Sequence, residues 1–147
     1  MAVGRGQRSG RRAIATVEFA LVAPLLLLLL AGVLDFAMLL RTATCAAFAA
    51  RAGVEYGSTS STASSNYTGM QTAALHAAPG VAGMTATATR SCQCSGGSAI
   101  SCSGSCTGGK MLIYVEVTTQ VTAPTVFHYS GLSFPSLVTY QASMRAQ

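Results

Sequence analysis

Residues 19–40 read FALVAPLLLLLLAGVLDFAMLL, twenty-two positions interrupted by a single charge, Asp35. At a helical rise of about 1.5 Å per residue they extend roughly 33 Å, slightly more than the ~30 Å hydrocarbon core of a bilayer. The stretch therefore reads as a transmembrane helix. Pro24 removes one backbone hydrogen bond near its start, which membrane helices absorb as a local kink. Upstream stand Arg5, Arg8, Arg11 and Arg12, four of the nine basic residues. Basic residues accumulate on the cytoplasmic side of a span, so the N-terminus is expected inside and the C-terminal part exported.

Composition agrees with a membrane anchor. Only 9% of the 147 residues are charged while 50% are hydrophobic, against a usual charged share of about 25%. A chain of this length holds one soluble domain, or one span with a small module, and excludes a large multidomain enzyme. The net charge of +5 comes mainly from the arm at 1–13, which reads as a topology signal rather than a nucleic-acid patch.

A cleaved secretory signal shares the basic-then-apolar pattern, and Ala47-Phe48-Ala49 offers a small-residue cleavage site. The apolar run exceeds the usual h-region of about 7–15 residues, contains Asp35 and has no helix breaker after it. TATCAAFAARAGVEY instead continues with helix-compatible alanines to Gly57, a C-terminal stop signal. The expected form keeps residues 14–57 as a transmembrane helix and helical stalk.

Two acids mark this helix. Glu18 sits where the apolar run begins, near the positive end of the helix dipole. Asp35 lies inside the run, where a carboxylate at the bilayer centre costs about 2.5–3.5 kcal/mol on insertion scales. Arg41 cannot pair with it along the helix, because contact needs spacings of three or four residues. Asp35 is expected either to reach the hydrated outer surface or to meet another chain, as a candidate for helix packing within the membrane.

From Arg11 to Arg51 the combination of basic residues, Val17-Glu18-Phe19-Ala20-Leu21, Pro24, a leucine run, the acid-aromatic pair Asp35-Phe36 and an alanine-rich continuation resembles the N-terminal signature of the TadE-like family. That family belongs to tight-adherence (Flp-type) pilus assembly. The resemblance implies a minor pilin or pseudopilin in a bacterial inner membrane, single-pass and without a cofactor. Its implied partners are the lipid bilayer, other pilin helices and the tight-adherence secretion machinery. Some members are trimmed by a membrane-embedded prepilin peptidase, whose pattern has a small residue before the cut and Glu at the fifth position after it. Set on Glu18, that pattern makes Ile14 the first mature residue and Ala13 the one before it. Ala13 stands where the pattern normally has Gly, and Phe19 where the major pilin commonly has Tyr.

Beyond Gly57 the chain turns Ser/Thr-rich, and 58–69 reads as a flexible linker. MQTAALHAA, residues 70–78, reads as a short helix closed by Pro79-Gly80. In MLIYVEVTTQV, Met111, Ile113, Val115, Val117 and Val121 share one face of a strand, and in LVTYQASMRA so do Val138, Tyr140, Ala142 and Met144. Thr85 to Thr89 supplies a third strand. The expected fold is α+β: a long N-terminal transmembrane helix continuing into a stalk, then a small disulfide-braced antiparallel-sheet head at 70–147.

Such a head buries a modest core and benefits from covalent bracing. Cys92, Cys94, Cys102 and Cys106 lie in a Gly/Ser-rich loop, 91–109. Zinc pairs usually read C-x₂₋₄-C at both ends, whereas Cys92-Gln93-Cys94 has one intervening residue. Outside the cytoplasm disulfides persist, so two bridges are expected and no metal. Cys92 and Cys94 are neighbours on one face, and a bridge between them would be strained. Two sets remain: Cys92–Cys102 with Cys94–Cys106, or Cys92–Cys106 with Cys94–Cys102. A Gly-rich cysteine loop before a YVEV-like strand also resembles the exported region of some TadE-like proteins. Cys45 reads as a buried small residue on the helix, with an intermolecular bridge as the rival reading.

Convergent catalytic groups are missing from this pattern. His76 and His128 belong to no recognisable motif, and Glu55 with Glu116 has no glycosidase signature. Cys92-Gln93-Cys94 lacks the C-x-x-C spacing of thiol–disulfide enzymes. The expected function is structural, with a permanently membrane-anchored, envelope-binding domain as the alternative to a filament component.

Overall fold

The computed structural model describes residues 6–127 and 136–146, with side chains from Ala15 onward. Arg5 and His128 therefore lie outside the described residues, as do the side chains of Arg8, Arg11, Arg12, Ala13 and Ile14. Helix α1 runs over Gly6–Ser58 and passes through Pro24 without ending. A short 3₁₀ turn at Ala63–Ser65 leads to α2, Tyr67–His76. Four strands follow: β1 (Thr85–Cys94), β2 (Ala99–Ile100), β3 (Met111–Thr122) and β4 (Leu137–Arg145). They form one antiparallel sheet in the order β2-β1-β3-β4.

The register explains why this sheet has one apolar face. Residues directly opposite each other share a face, and β3 sets Val115, Val117 and Val121 against Met144, Ala142 and Val138 of β4. On its other side Val117 faces Ala88 of β1. The two alternating patterns expected from the sequence thus form a single surface. The third strand extends five residues past Thr89 and carries Cys92 and Cys94.

What covers that surface is α1 itself. Thr42, Ala46, Ala49, Ala50, Gly53, Val54 and Gly57 are buried and recur at spacings of three and four, the stripe expected for one helix face. Small side chains let the helix lie close to the sheet. A Cβ on Gly53 would stand 3.0 Å from Val117 Cγ1 and 3.0 Å from the Met70 carbonyl oxygen. The distal part of the helix, expected as a stalk, is thus a layer of the head. Gly57 has no positive φ, and the helix continues to Ser58. Its role is close packing against Met70 and Val115 rather than a left-handed stop.

Thr119 is the polar member of the buried β3 face, fully covered, and its hydroxyl donates to the Ala46 carbonyl at 2.9 Å. This bond links the middle strand to the helix. A buried hydrogen bond of this kind contributes about 0.5–1.5 kcal/mol net. Thr119→Val should therefore lower stability by about 1 kcal/mol, read as a shifted urea midpoint of the full chain in detergent. No shift would show that the bond holds nothing.

The Ser/Thr-rich segment at 58–69, expected as a flexible linker, is locally bonded instead. The Ser60 hydroxyl accepts from the Ala63 amide at 3.1 Å, and buried Ser64 donates to the Ser61 carbonyl at 2.7 Å. Asn66 then caps α2 by accepting from the Gly69 amide at 2.9 Å, the bond an N-cap side chain supplies to an orphan donor. Hence α2 starts three residues before Met70. Short hydroxyl and amide side chains compete well for backbone groups, so a composition typical of linkers also makes tight turns.

Candidate functional site

The surface that calls for a function is the proximal half of α1. From Ala15 to Leu40 its side chains are exposed or half-buried, yet nearly all are apolar. Leu27 is 66% exposed and Leu28 62%. Contiguous exposed apolar surface of this extent marks a membrane or protein contact. The helix is long and apolar enough to cross a membrane. The burial pattern changes at Thr42, the first buried residue of the helix stripe, whose hydroxyl donates back to the Met38 carbonyl at 2.9 Å.

Glu18 and Phe19 lie exposed on this surface, near its N-terminal end. Ala13 and Ile14 are in the same continuous helix. Asp35 lies sixteen residues beyond Phe19 and is half-buried. Its partner belongs to its own chain: Oδ1 accepts from the Val126 amide at 2.7 Å. Oδ2 is buried and finds no partner among the described residues. The sequence reading offered water or another chain, and nothing local pointed to a residue ninety-one positions away. The cause is topological. β3 runs back along α1, so the chain leaving β3 arrives beside Asp35.

The helix segment just described is the part that comparison recognises. Residues 13–55 match the model of the TadE-like protein family. This segment is similar to the TadE-like family. The match includes Glu18, Phe19, Asp35 and Cys45, and stops before the rest of the head. Comparison of the chain with curated proteins and with solved structures gave no match. The matched segment therefore contains the apolar surface and, apart from Gly57, the helix stripe that packs on the sheet.

At the opposite end of the head the cysteines pair as Cys92–Cys102 and Cys94–Cys106. This is the first of the two expected sets. Both bridges tie the end of β1 to the loop before β3, with Cys92 only 2% exposed. All four sulfurs are thereby occupied, and no cluster of metal-binding side chains occurs among the described residues. Cys45 is a free, half-buried thiol packed against the core on the matched segment.

Sequence reasoning missed Arg90. It lies on the inward side of β1, opposite Val115, and Nη1 donates to the Ser65 hydroxyl at 2.6 Å. A basic residue in an otherwise Thr/Ala strand was the available signal. It ties the sheet to the 3₁₀ turn.

Proposed function

We propose that the protein is a structural, single-pass component of tight-adherence pilus assembly, a minor pilin or pseudopilin. Its N-terminus lies in the cytoplasm and its head is exported across a bacterial inner membrane. The observation that carries this reading is the continuity of α1: one helix presents an uncovered apolar surface at one end and forms part of the head's core at the other. Lateral packing of such helices would carry the heads along with them. The match of residues 13–55 to the TadE-like family model supports a role in the tight-adherence system and a structural rather than enzymatic one.

Glu18 is assigned the role of pairing between neighbouring helices. Cleavage between Ala13 and Ile14 by a prepilin peptidase would place an amine on Ile14, and an unpaired charge in an apolar bundle is costly. Glu18 of an adjacent copy would neutralise it. The bond to be cut lies within helical backbone, so the peptidase must unwind the first turns. Glu18→Gln should impair assembly or processing while membrane insertion continues, read by recovery in sheared filaments and by the mature N-terminus. Normal assembly of this variant would remove the role. Strict membrane retention of the native chain would favour a permanently anchored envelope domain, the reading that Ala13 in place of Gly supports.

A further inference from the structure

We infer that the exported head also touches the bilayer, through residues 123–127 that follow β3, and that Asp35 is the strut holding them at the membrane surface. The inference rests on the single-pass anchor, but not on any role in a filament.

Direction along the helix is the first step. β3 contacts α1 through Val115 beside Gly57, Val117 beside Gly53 and Thr119 beside Ala46. Increasing number in β3 therefore means approach to the apolar span. Past Thr122 the chain continues toward it. The Ala123 amide donates to the Ser136 carbonyl at 2.6 Å, and the Val126 amide reaches Asp35. The start of β4 lies at the same end, because Leu137 pairs with Thr122.

The chemistry of this end is the second step. Val126 is 54% exposed, Phe127 42% and Leu137 61%. Residues 123–127, 136 and 137, which form the described part of this end, include no Asp, Glu, Lys, Arg or His. Lys110 and Arg145 belong to the opposite end, beside the disulfides and Tyr114. An exposed apolar rim, bordered by Asp35 and Arg41 of the helix, lies where the head meets a lipid-facing helix, and is continuous with it. Lipid is the occupant this geometry fits.

Depth along the helix is the third step. With the outer boundary set at Asp35, the one charge within the 19–40 run and a side chain already bonded to the head, a ~30 Å hydrocarbon core takes about twenty residues at ~1.5 Å each and reaches back to near Ala15. Arg12 then stands at the inner boundary. A carboxylate bonded to a backbone amide at that boundary avoids the cost of the bilayer centre. Arg41, about 9 Å farther along the helix, falls among the headgroups, where arginine is accommodated readily. Glu18 lies about one turn inside the hydrocarbon.

The chain contains no tryptophan, so one introduced residue reports its own surroundings. Full-length Phe127→Trp, Leu28→Trp and Tyr67→Trp are reconstituted in phosphatidylcholine–phosphatidylglycerol vesicles whose acyl chains are brominated near the headgroup. Tyr67 opens α2 next to Asn66, whose side-chain amide donates to the Tyr56 hydroxyl near the distal end of α1. Phe127→Trp should emit at shorter wavelength than Tyr67→Trp and lose about half its emission to the brominated lipid, as for an interfacial tryptophan. Tyr67→Trp should remain unquenched. Adding Asp35→Ala should weaken the quenching of Phe127→Trp and leave that of Leu28→Trp unchanged, whereas Asp35→Asn, which keeps an acceptor oxygen, should preserve it. Quenching of Leu28→Trp without Phe127→Trp would overturn the second contact while retaining the anchor. A blue-shifted but unquenched Phe127→Trp would overturn the lipid contact, with protein, such as a second copy, covering residues 123–127 instead. No quenching of Leu28→Trp would overturn both the anchor and this inference.

Discussion

Replacing Cys92 and Cys102 together with alanine should destabilise the head by about 3 kcal/mol, the chain-entropy expectation for closing a loop of about ten residues. The bridge spans ten positions and the second bridge twelve. The two loops interleave, because Cys94 lies inside the first and Cys106 outside it, so each bridge shortens the loop that the other closes, and removing both should cost more than the sum of the single losses. Against a typical total stability of 5–15 kcal/mol, 3 kcal/mol is a large share. The measurement is the urea midpoint of the full chain in detergent, with the denaturant slope checked for constancy. A shift no larger than that of Thr119→Val would show that this bridge does not brace the fold. Alanine at both positions avoids leaving a lone thiol that could exchange with the second bridge.

These bridges also show which parts of the fold were legible in the sequence. Their number and location follow from composition and the expected compartment, since four cysteines in a Gly/Ser loop read as exported have few other fates. Their connectivity does not follow, because it depends on how the loop folds back over the end of β1. The apolar faces of β3 and β4 were readable for a different reason: side chains alternate with period two, and the pattern survives wherever the strand goes. The span was readable because length and apolarity alone define it.

The residues that were not legible depend on partners distant in sequence. Thr119 interrupts an apolar face and looks like a blemish until Ala46 is placed above it. Gly57 resembles a helix stop because glycine often ends helices, and only the packed structure reveals the side chains that exclude a Cβ. Asp35 is the clearest case. Its carboxylate was recognisable as needing a partner, but Val126 reaches it only after the chain has formed two α-helices and three strands. Local chemistry thus identified the demand, and topology supplied the answer.

The contact between Gly57 and Met70 yields the second large effect. Met70 is fully buried at the junction of α2, α1 and the sheet. Met70→Ala should therefore lower stability by about 2–5 kcal/mol, through lost burial and the cavity left behind. Gly57→Ala alone brings two opposed terms. Alanine in a helix is favoured over glycine by about 0.5–1 kcal/mol, but its Cβ would overlap the Met70 sulfur and stand 3.0 Å from Met70 Cγ and 3.3 Å from Val115 Cγ2. Overpacking commonly costs about 1–3 kcal/mol, so the single change should destabilise. In the Met70→Ala background the sulfur and Cγ are gone, and the same alanine occupies vacated space. Gly57→Ala should then stabilise relative to Met70→Ala alone, reversing sign within one double-mutant cycle. Unfolding midpoints of the four chains in detergent measure the coupling. Additive effects would mean that Gly57 is not selected by the close approach of Met70, and that the helix does not need a side-chain-free position there to serve as a layer of the head.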